Sequence, residues 1–315
     1  MIGILLINLG TPDAPTEEAV RDYLNVFLSD PYVITLPTFL RNLLVQKIIL
    51  PRRPKKSAHA YQQVWTTQGS PLLVNSMVLR DALQKKLGDD FFVALGMRYK
   101  NPSIQSAIEI LESKQCQKII VLPLFPQFAK ATSQSAIDCA LSTLREKNLE
   151  SRSYIINNFH QDDFYIHAIS SLIQESLAKN PTDFLLLSYH GLPKRQIDPN
   201  NNYQAQCYET AKKIAQTLKL SPEQYQVSFQ SRLGLAKWIG PYTDQVLVEL
   251  RKKNIKNLSV ACPSFVADCI ETLEEINIRL RAQWIKLGGE KFHLIPCLNA
   301  NAIWVDSLAH WLRQR

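Results

Sequence analysis

Glycine is scarce in this chain of 315 residues: there are 10, no two of them in a G-x-G spacing, and no G-x-x-x-x-G-K run occurs. Loops that cradle nucleotide phosphates need small residues at those spacings, so a nucleotide-dependent enzyme is disfavoured. The six cysteines (116, 139, 207, 262, 269, 297) include no C-x-x-C pair, which argues against a zinc ribbon or a thioredoxin-like site. H-E-x-x-H and G-x-S-x-G are also missing, and with them the usual metalloprotease and hydrolase signatures. No long apolar run is present either. The longest candidate, Val33 to Leu50, is broken by Pro37, Arg41 and Lys47 and falls short of the roughly 20 apolar residues a membrane span requires. Met1 to Asn8 carries neither a basic leader nor a small-residue cleavage site, so it reads as a first strand, and free thiols in a reducing cytoplasm are the expectation.

Acid is absent from one window. Between Pro31 and Arg80 there is no Asp or Glu, while Arg41, Lys47, Arg52, Arg53, Lys55, Lys56 and Arg80 supply seven positive charges. The net charge of the whole chain is +8, so nearly all of the excess lies in that window. A distributed nucleic-acid stripe does not follow from such a pattern, and a local basic surface beside apolar residues does. Apolar residues make up 46% and charged residues 20%, a globular composition at a length that suggests about two domains.

Short apolar runs alternate with stretches of helical period, the pattern of parallel sheets covered by helices. Four strands are predicted before residue 160 (Ile4 to Leu9, Phe91 to Met97, Ile119 to Leu124, Tyr154 to Asn158) and four after it (Phe184 to Tyr189, Gln226 to Gln230, Leu258 to Cys262, Phe292 to Pro296). The two sets share punctuation. The first strand of each runs into Gly-x-Pro (Gly10, Pro12; Gly191, Pro193), the second into Arg (Arg98; Arg232), and the third into Pro-x-Phe (Pro126, Phe128; Pro263, Phe265). Two similar α/β domains with right-handed crossovers follow, over residues 1–160 and 161–315, each a four-stranded parallel sheet flanked by helices. From Gly10 to Arg98 is 88 residues against 41 from Gly191 to Arg232, so the first half carries an insertion that includes the basic window, about 31–80. The C-terminal helix is expected to pack back on the first domain. Ligands of open parallel sheets bind beyond the carboxyl ends of the strands, which places the expected cleft between the domains with the insertion at its mouth.

Laying one half on the other shows where they differ. His190 matches Leu9, and Glu271 matches Gln134, each eight residues past its Pro. The second half therefore carries an imidazole and a carboxylate where the first has inert groups. A strand-end histidine on its own is more often structural, but the paired replacement favours chemistry: imidazoles exchange protons near neutral pH, and a carboxylate nearby would tune the ring or share a borderline divalent metal. Two ligands are too few for a tightly held ion, so the metal would be transient. Glu271 opens a predicted helix from Cys269 to Trp284 with Asp268 near its N-cap, and Glu275 follows at i+4 before the ridge meets Arg279. Those acids read either as a cation path or as charges favouring a helix N-terminus. His59, His160, His167, His293 and His310 lack matched partners and read as surface or packing residues. Cys262 and Cys269 read as packing residues at a strand end and a helix start, with a nucleophilic role as the alternative.

Ser188-Tyr189-His190-Gly191-Leu192-Pro193, together with the run from Cys262-Pro263-Ser264-Phe265 through Asp268-Cys269-Ile270-Glu271-Thr272-Leu273 to Ile276, resembles the ferrochelatase family. Asn8-Leu9-Gly10-Thr11-Pro12, Met97-Arg98-Tyr99, Leu122 to Phe128 and Trp238 to Asp244 match it as well, so the resemblance extends from residue 2 to about 300. It implies two Rossmann-like domains of the chelatase fold and insertion of Fe2+ into protoporphyrin IX with release of two protons, the last step of haem synthesis. It makes His190 the acceptor of a pyrrole proton and a transient metal ligand, with Glu271 as proton or metal relay. By position, Leu9, Arg53, Tyr61, Ser70, Arg98 and Tyr99 resemble porphyrin-binding residues, and the insertion resembles an apolar lip over the macrocycle.

The same resemblance implies iron as substrate with no tightly bound cofactor, and no iron–sulfur cluster, because the cysteine-rich C-terminal extension of the animal enzymes is absent. Partners implied are protoporphyrin IX and ferrous iron, with no nucleic acid; the lip's cations would meet substrate propionates or anionic headgroups at the inner membrane face. Cys269 stands where some relatives carry a second His. Leu9 occupies a site where coproporphyrin-using relatives carry Tyr, which favours protoporphyrin. The competing readings are a chelatase for coproporphyrin or another metal and tetrapyrrole, and a non-catalytic haem carrier.

Overall fold

Each short apolar run forms a parallel strand, because both faces of each sheet are covered by helices and nothing in the strand interior need be polar. The computed structural model describes residues 1–232, 234 and 236–315. Two compact units divide at Asn158 and Phe159.

The first unit runs β1 (Ile2–Gly10), α1 (Glu17–Ser29), α2 (Thr38–Leu43) continuing through a π-helical turn (Leu44–Ile49), α3 (Arg53–Val64), α4 (Pro71–Leu87), β2 (Phe91–Tyr99), α5 (Ile104–Ser113), β3 (Lys118–Pro123), α6 (Ser135–Glu146) and β4 (Ser153–Ile155). Its sheet has the order β2-β1-β3-β4, all parallel. Leu5, Ile7, Ile119 and Val121 of the sheet pack with Ile104, Ile108 and Leu111 of α5 and Ala136, Ala140 and Leu144 of α6. Helix starts follow local chemistry: the Thr16 hydroxyl accepts the Ala19 N–H ahead of α1, and Ser103 accepts from Ser106 ahead of α5.

The second unit repeats the plan with β5 (Phe184–His190), β6 (Tyr225–Gln230), β7 (Asn257–Ala261) and β8 (Lys291–Leu294) in the order β6-β5-β7-β8. Its helices are α7 (Asp163–Lys179), α8 (Tyr203–Leu218), α9 (Thr243–Lys252), a π-helix over Glu271–Leu280 that continues as α10 (Arg281–Lys286), and α11 (Ala302–Arg313). Leu186, Leu258 and Val260 pack with Val246, Leu247 and Leu250 of α9 and with Ile276, Leu280 and Trp284. The apolar face of α11 lies along α7 within this unit.

All eight predicted strands are present, with ends that coincide or are shifted by up to three residues. The inserted segment forms α2, the π-turn and α3, with α3 against α1. It leaves Phe39 77% exposed and Leu40, Leu43 and Ile48 each about half exposed. Among the described residues no helix is long and apolar enough to cross a membrane.

Candidate active site

β5 ends on His190, and the bonds around that residue decide which ring nitrogen is available. The Nδ1 atom lies 2.6 Å from the Gly191 carbonyl oxygen. A carbonyl only accepts, so Nδ1 carries the hydrogen and the lone pair of the neutral ring sits on Nε2. The backbone is fixed independently of the ring: the His190 N–H donates to Ser264 Oγ at 3.0 Å, and its carbonyl accepts from the Tyr203 hydroxyl at 2.8 Å. The Phe265 ring meets the imidazole edge-on with centroids 6.1 Å apart.

Gly191 allows the turn that follows. Its N–H donates to the Gln230 carbonyl at 2.8 Å, and a Cβ there would stand 2.6 Å from that same oxygen. Gly10, its counterpart in the first unit, has φ +111° and would place a Cβ 2.0 Å from the Tyr99 carbonyl oxygen. The glycine shared by the two Gly-x-Pro segments has one cause in both halves: the chain leaves the first strand against the last carbonyls of the second. Gly191→Ala is expected to move His190 away from the Gln230 carbonyl, lowering stability by about 1–3 kcal/mol and cutting turnover at least tenfold. Urea unfolding beside steady-state kinetics checks both, and wild-type values in both would contradict the close-approach argument.

Glu271 begins the helix that follows β7, and β7 pairs with β5. The predicted α-helix is instead π-helical over Glu271–Leu280, with i→i+5 bonding; such helices are rare and concentrate at functional sites. The first turn is tied to the sheet by Gln230, whose Nε2 donates to the Glu271 carbonyl at 3.0 Å. Asp268 is not a side-chain cap. Its carboxylate accepts from the Thr272 hydroxyl (2.9 Å), Asn299 Nδ2 (2.7 Å) and the Cys297 N–H (3.3 Å), pinning the helix start to the loop after β8.

The acidic ridge also differs from the expectation. Arg279 donates through Nε to both oxygens of Glu274, at 2.9 and 2.8 Å, and only approaches Glu275 at 4.0 Å. Glu275 is held by Ser231, whose N–H and hydroxyl donate at 2.8 and 2.5 Å. Burial pushes the Glu275 carboxyl above its ordinary pKa, opposed by the Ser231 hydroxyl, Arg279 and the nearby His190. The second sheet therefore carries an imidazole and the carboxyls of Glu271 and Glu275 at one end. Burial also pushes the thiols of Cys262 and Cys269 well up, which suits packing and not nucleophilic attack.

The first-unit candidates are placed differently. Leu9 is the next-to-last residue of β1 and half-buried, and Arg53 starts α3. Tyr61 is buried with its ring edge-on to Trp65. Ser70 is 3% exposed and accepts from Thr11 Oγ1 at 2.7 Å. Arg98 and Tyr99 both bond Asp30 Oδ2, at 2.7 and 2.8 Å, and Ser135 donates to the same oxygen at 2.6 Å. Tyr99 is 1% exposed, and its hydroxyl bonds within this internal cluster. Asp30, Gln230, Ser231 and Glu274 carry no signal in local sequence, because their partners lie on other elements or, for Glu274, one position away from the spacing that i+4 reasoning favours. Among the described residues no group of three or more His, Cys, Asp or Glu is gathered to hold a metal ion.

Comparison with known proteins places this geometry. A ferrochelatase family model matches residues 1–315. A ferrochelatase from Coxiella burnetii (strain Dugway 5J108-111) is 50% identical, covering 98% of this chain and 92% of its own length. One from Legionella pneumophila (strain Paris) is 46% identical, covering 97% of each. Among solved structures, SirB from Bacillus subtilis with Fe3+ superposes with a TM-score of 0.59 at 10% identity, covering 99% of this chain and 94% of the other, and SirB in complex with cobalt does so equally well at 11%. At such low identity these two show the shared fold, and the sequence relatives show the lineage: the chain belongs to the ferrochelatase family.

Proposed function

We propose that this chain inserts Fe2+ into protoporphyrin IX to form protohaem, with His190 as proton acceptor and transient iron ligand and Glu271 as proton or metal relay. The observation that carries the assignment is the His190 Nδ1–H held on the Gly191 carbonyl, which leaves Nε2 as an open lone pair at the strand end. The reaction is balanced by two protons: the free-base ring loses both pyrrole N–H hydrogens as the ion enters. A flat macrocycle keeps its nitrogen lone pairs in the ring plane, so insertion needs a bent ring, a base beside it and a metal arriving from the other face. Nε2 suits the first proton, and the carboxylates on the π-helix suit the second. Apolar contact with the macrocycle away from the nitrogens can supply the energy of bending.

Anaerobic protein mixed with ferrous iron and protoporphyrin should replace the free-base visible bands with those of a metalloporphyrin. A parallel run with coproporphyrin separates the substrates, and bands unchanged with both would exclude chelation. Turnover with coproporphyrin alone would overturn the weight placed on Leu9.

We infer that the inserted lip touches an anionic membrane surface. Phe39, Leu40, Leu43 and Ile48 are exposed beside Lys47, Arg52, Lys55 and Lys56 in a segment with no acid. An apolar face bordered by cations suits insertion at a headgroup boundary, at about 1 kcal/mol per cation near the surface. Phe39→Asp with Leu43→Asp should abolish the co-sedimentation with vesicles rich in phosphatidylserine that the wild type shows. Equal sedimentation of both proteins would remove the lip from the membrane.

A further inference from the structure

Gln230 touches both halves of the proposed machinery without facing the reacting atoms. It ends β6 directly across from His190 in the parallel register and is 4% exposed. Its backbone carbonyl accepts the Gly191 N–H at 2.8 Å, and Gly191 is the residue whose carbonyl holds the His190 Nδ1–H. Its side-chain Nε2 donates to the Glu271 carbonyl at 3.0 Å. The amide is not free to turn, because Oε1 accepts from the Ser188 hydroxyl at 2.8 Å and from the Cys262 thiol at 3.7 Å. Ser188 is held in turn through Thr243 at 3.0 Å and on to Ser228 at 2.9 Å, so the chain of bonds crosses β5, β6 and the start of α9. A buried polar chain with every member partnered is rigid. Ser231, the next residue, fixes the Glu275 carboxylate.

The structure assigns Gln230 as the positioning residue that sets the separation of His190 and Glu271, its main chain bracing the first and its side chain the second. This rests on the catalytic reading of those two residues. Charge is transferred at neither end of Gln230, so its loss should lower the rate and not the binding of porphyrin: a displacement of about 1 Å between reacting groups costs on the order of 10²-fold.

The test uses the full-length enzyme with ferrous iron and protoporphyrin. Gln230→Met keeps the length and removes the side-chain bonds to Glu271, Ser188 and Cys262, and kcat should fall 10- to 100-fold with KM for porphyrin unchanged within twofold. Ser188→Ala removes one Oε1 anchor together with the Thr243 contact and should lower kcat two- to fivefold, again at constant KM; it keeps the inference testable should Gln230→Met not fold. Wild-type kcat in folded Gln230→Met, or a rise in KM at constant kcat, overturns the assignment. Where Gln230→Met yields no folded protein, a wild-type kcat in Ser188→Ala does the same. A wild type that makes no metalloporphyrin defeats the underlying reading instead, so the two failures stay distinct.

Discussion

His190→Ala should reduce kcat by about 10²–10⁴-fold, the usual contribution of a positioned general base, while porphyrin affinity stays within a few-fold of wild type. Binding should survive because the backbone bonds to Ser264 and Tyr203 hold the strand end without the ring. The substitution removes the Nε2 lone pair, the Nδ1 bond to the Gly191 carbonyl and the edge contact with Phe265. Steady-state kinetics with ferrous iron, paired with quenching of porphyrin fluorescence on binding, reads the two quantities separately. A variant that still forms metalloporphyrin at near wild-type rate would move the proton chemistry elsewhere. One that no longer binds would make His190 a wall of the pocket.

Asp30→Ala should be the most destabilising change outside the second unit's site. The Asp30 carboxylate is 2% exposed and one of its oxygens serves Arg98, Tyr99 and Ser135 at once. Removing it leaves the Arg98 charge without its partner, keeping only the bonds to Ser135, and leaves two buried hydroxyls with a lost acceptor. Breaking a buried ion pair from one side costs about 3–5 kcal/mol. Arg98 keeps 23% exposure, which places the expected loss near the lower end, about 3 kcal/mol. Asp30→Asn, which keeps the shape without the charge, should lose less. Urea unfolding of the three proteins orders them, and a loss under about 1 kcal/mol for Asp30→Ala would mean that the cluster is solvated.

What was legible beforehand followed from short-range pattern. Strands buried on both faces read as apolar runs, and the repeated Gly-x-Pro, Arg and Pro-x-Phe punctuation exposed the duplication and through it His190 and Glu271. Strand ends were less visible: β4 closes at Ile155, three residues before the predicted Asn158, because a run of apolar and polar residues continues after pairing with β3 stops. The π-helix was not legible at all. Its composition is that of an ordinary amphipathic helix, and the groups that tie it down, Gln230 at its first turn and Ser231 at Glu275, lie more than forty residues earlier in the chain. The ridge of Glu271 and Glu275 was expected to meet Arg279, and Arg279 bonds Glu274 while only approaching Glu275 at 4.0 Å. Arg98 and Tyr99 stand at the end of β2, where sheet folds place ligands, yet their side chains turn to Asp30, which sits 68 and 69 residues earlier.

The bond from Nδ1 to the Gly191 carbonyl has a consequence for turnover. A ring with one nitrogen permanently engaged cannot act as a bucket-brigade member, taking hydrogen on one side and passing it out on the other, since a carbonyl has no capacity to receive it. His190 has a single door. On the proposed assignment the hydrogen admitted at Nε2 would have to leave by Nε2, so that resetting the base would be tied to clearance of a product lying over it. One imidazole would then accept one hydrogen per cycle, leaving the other to the acids proposed on the π-helix.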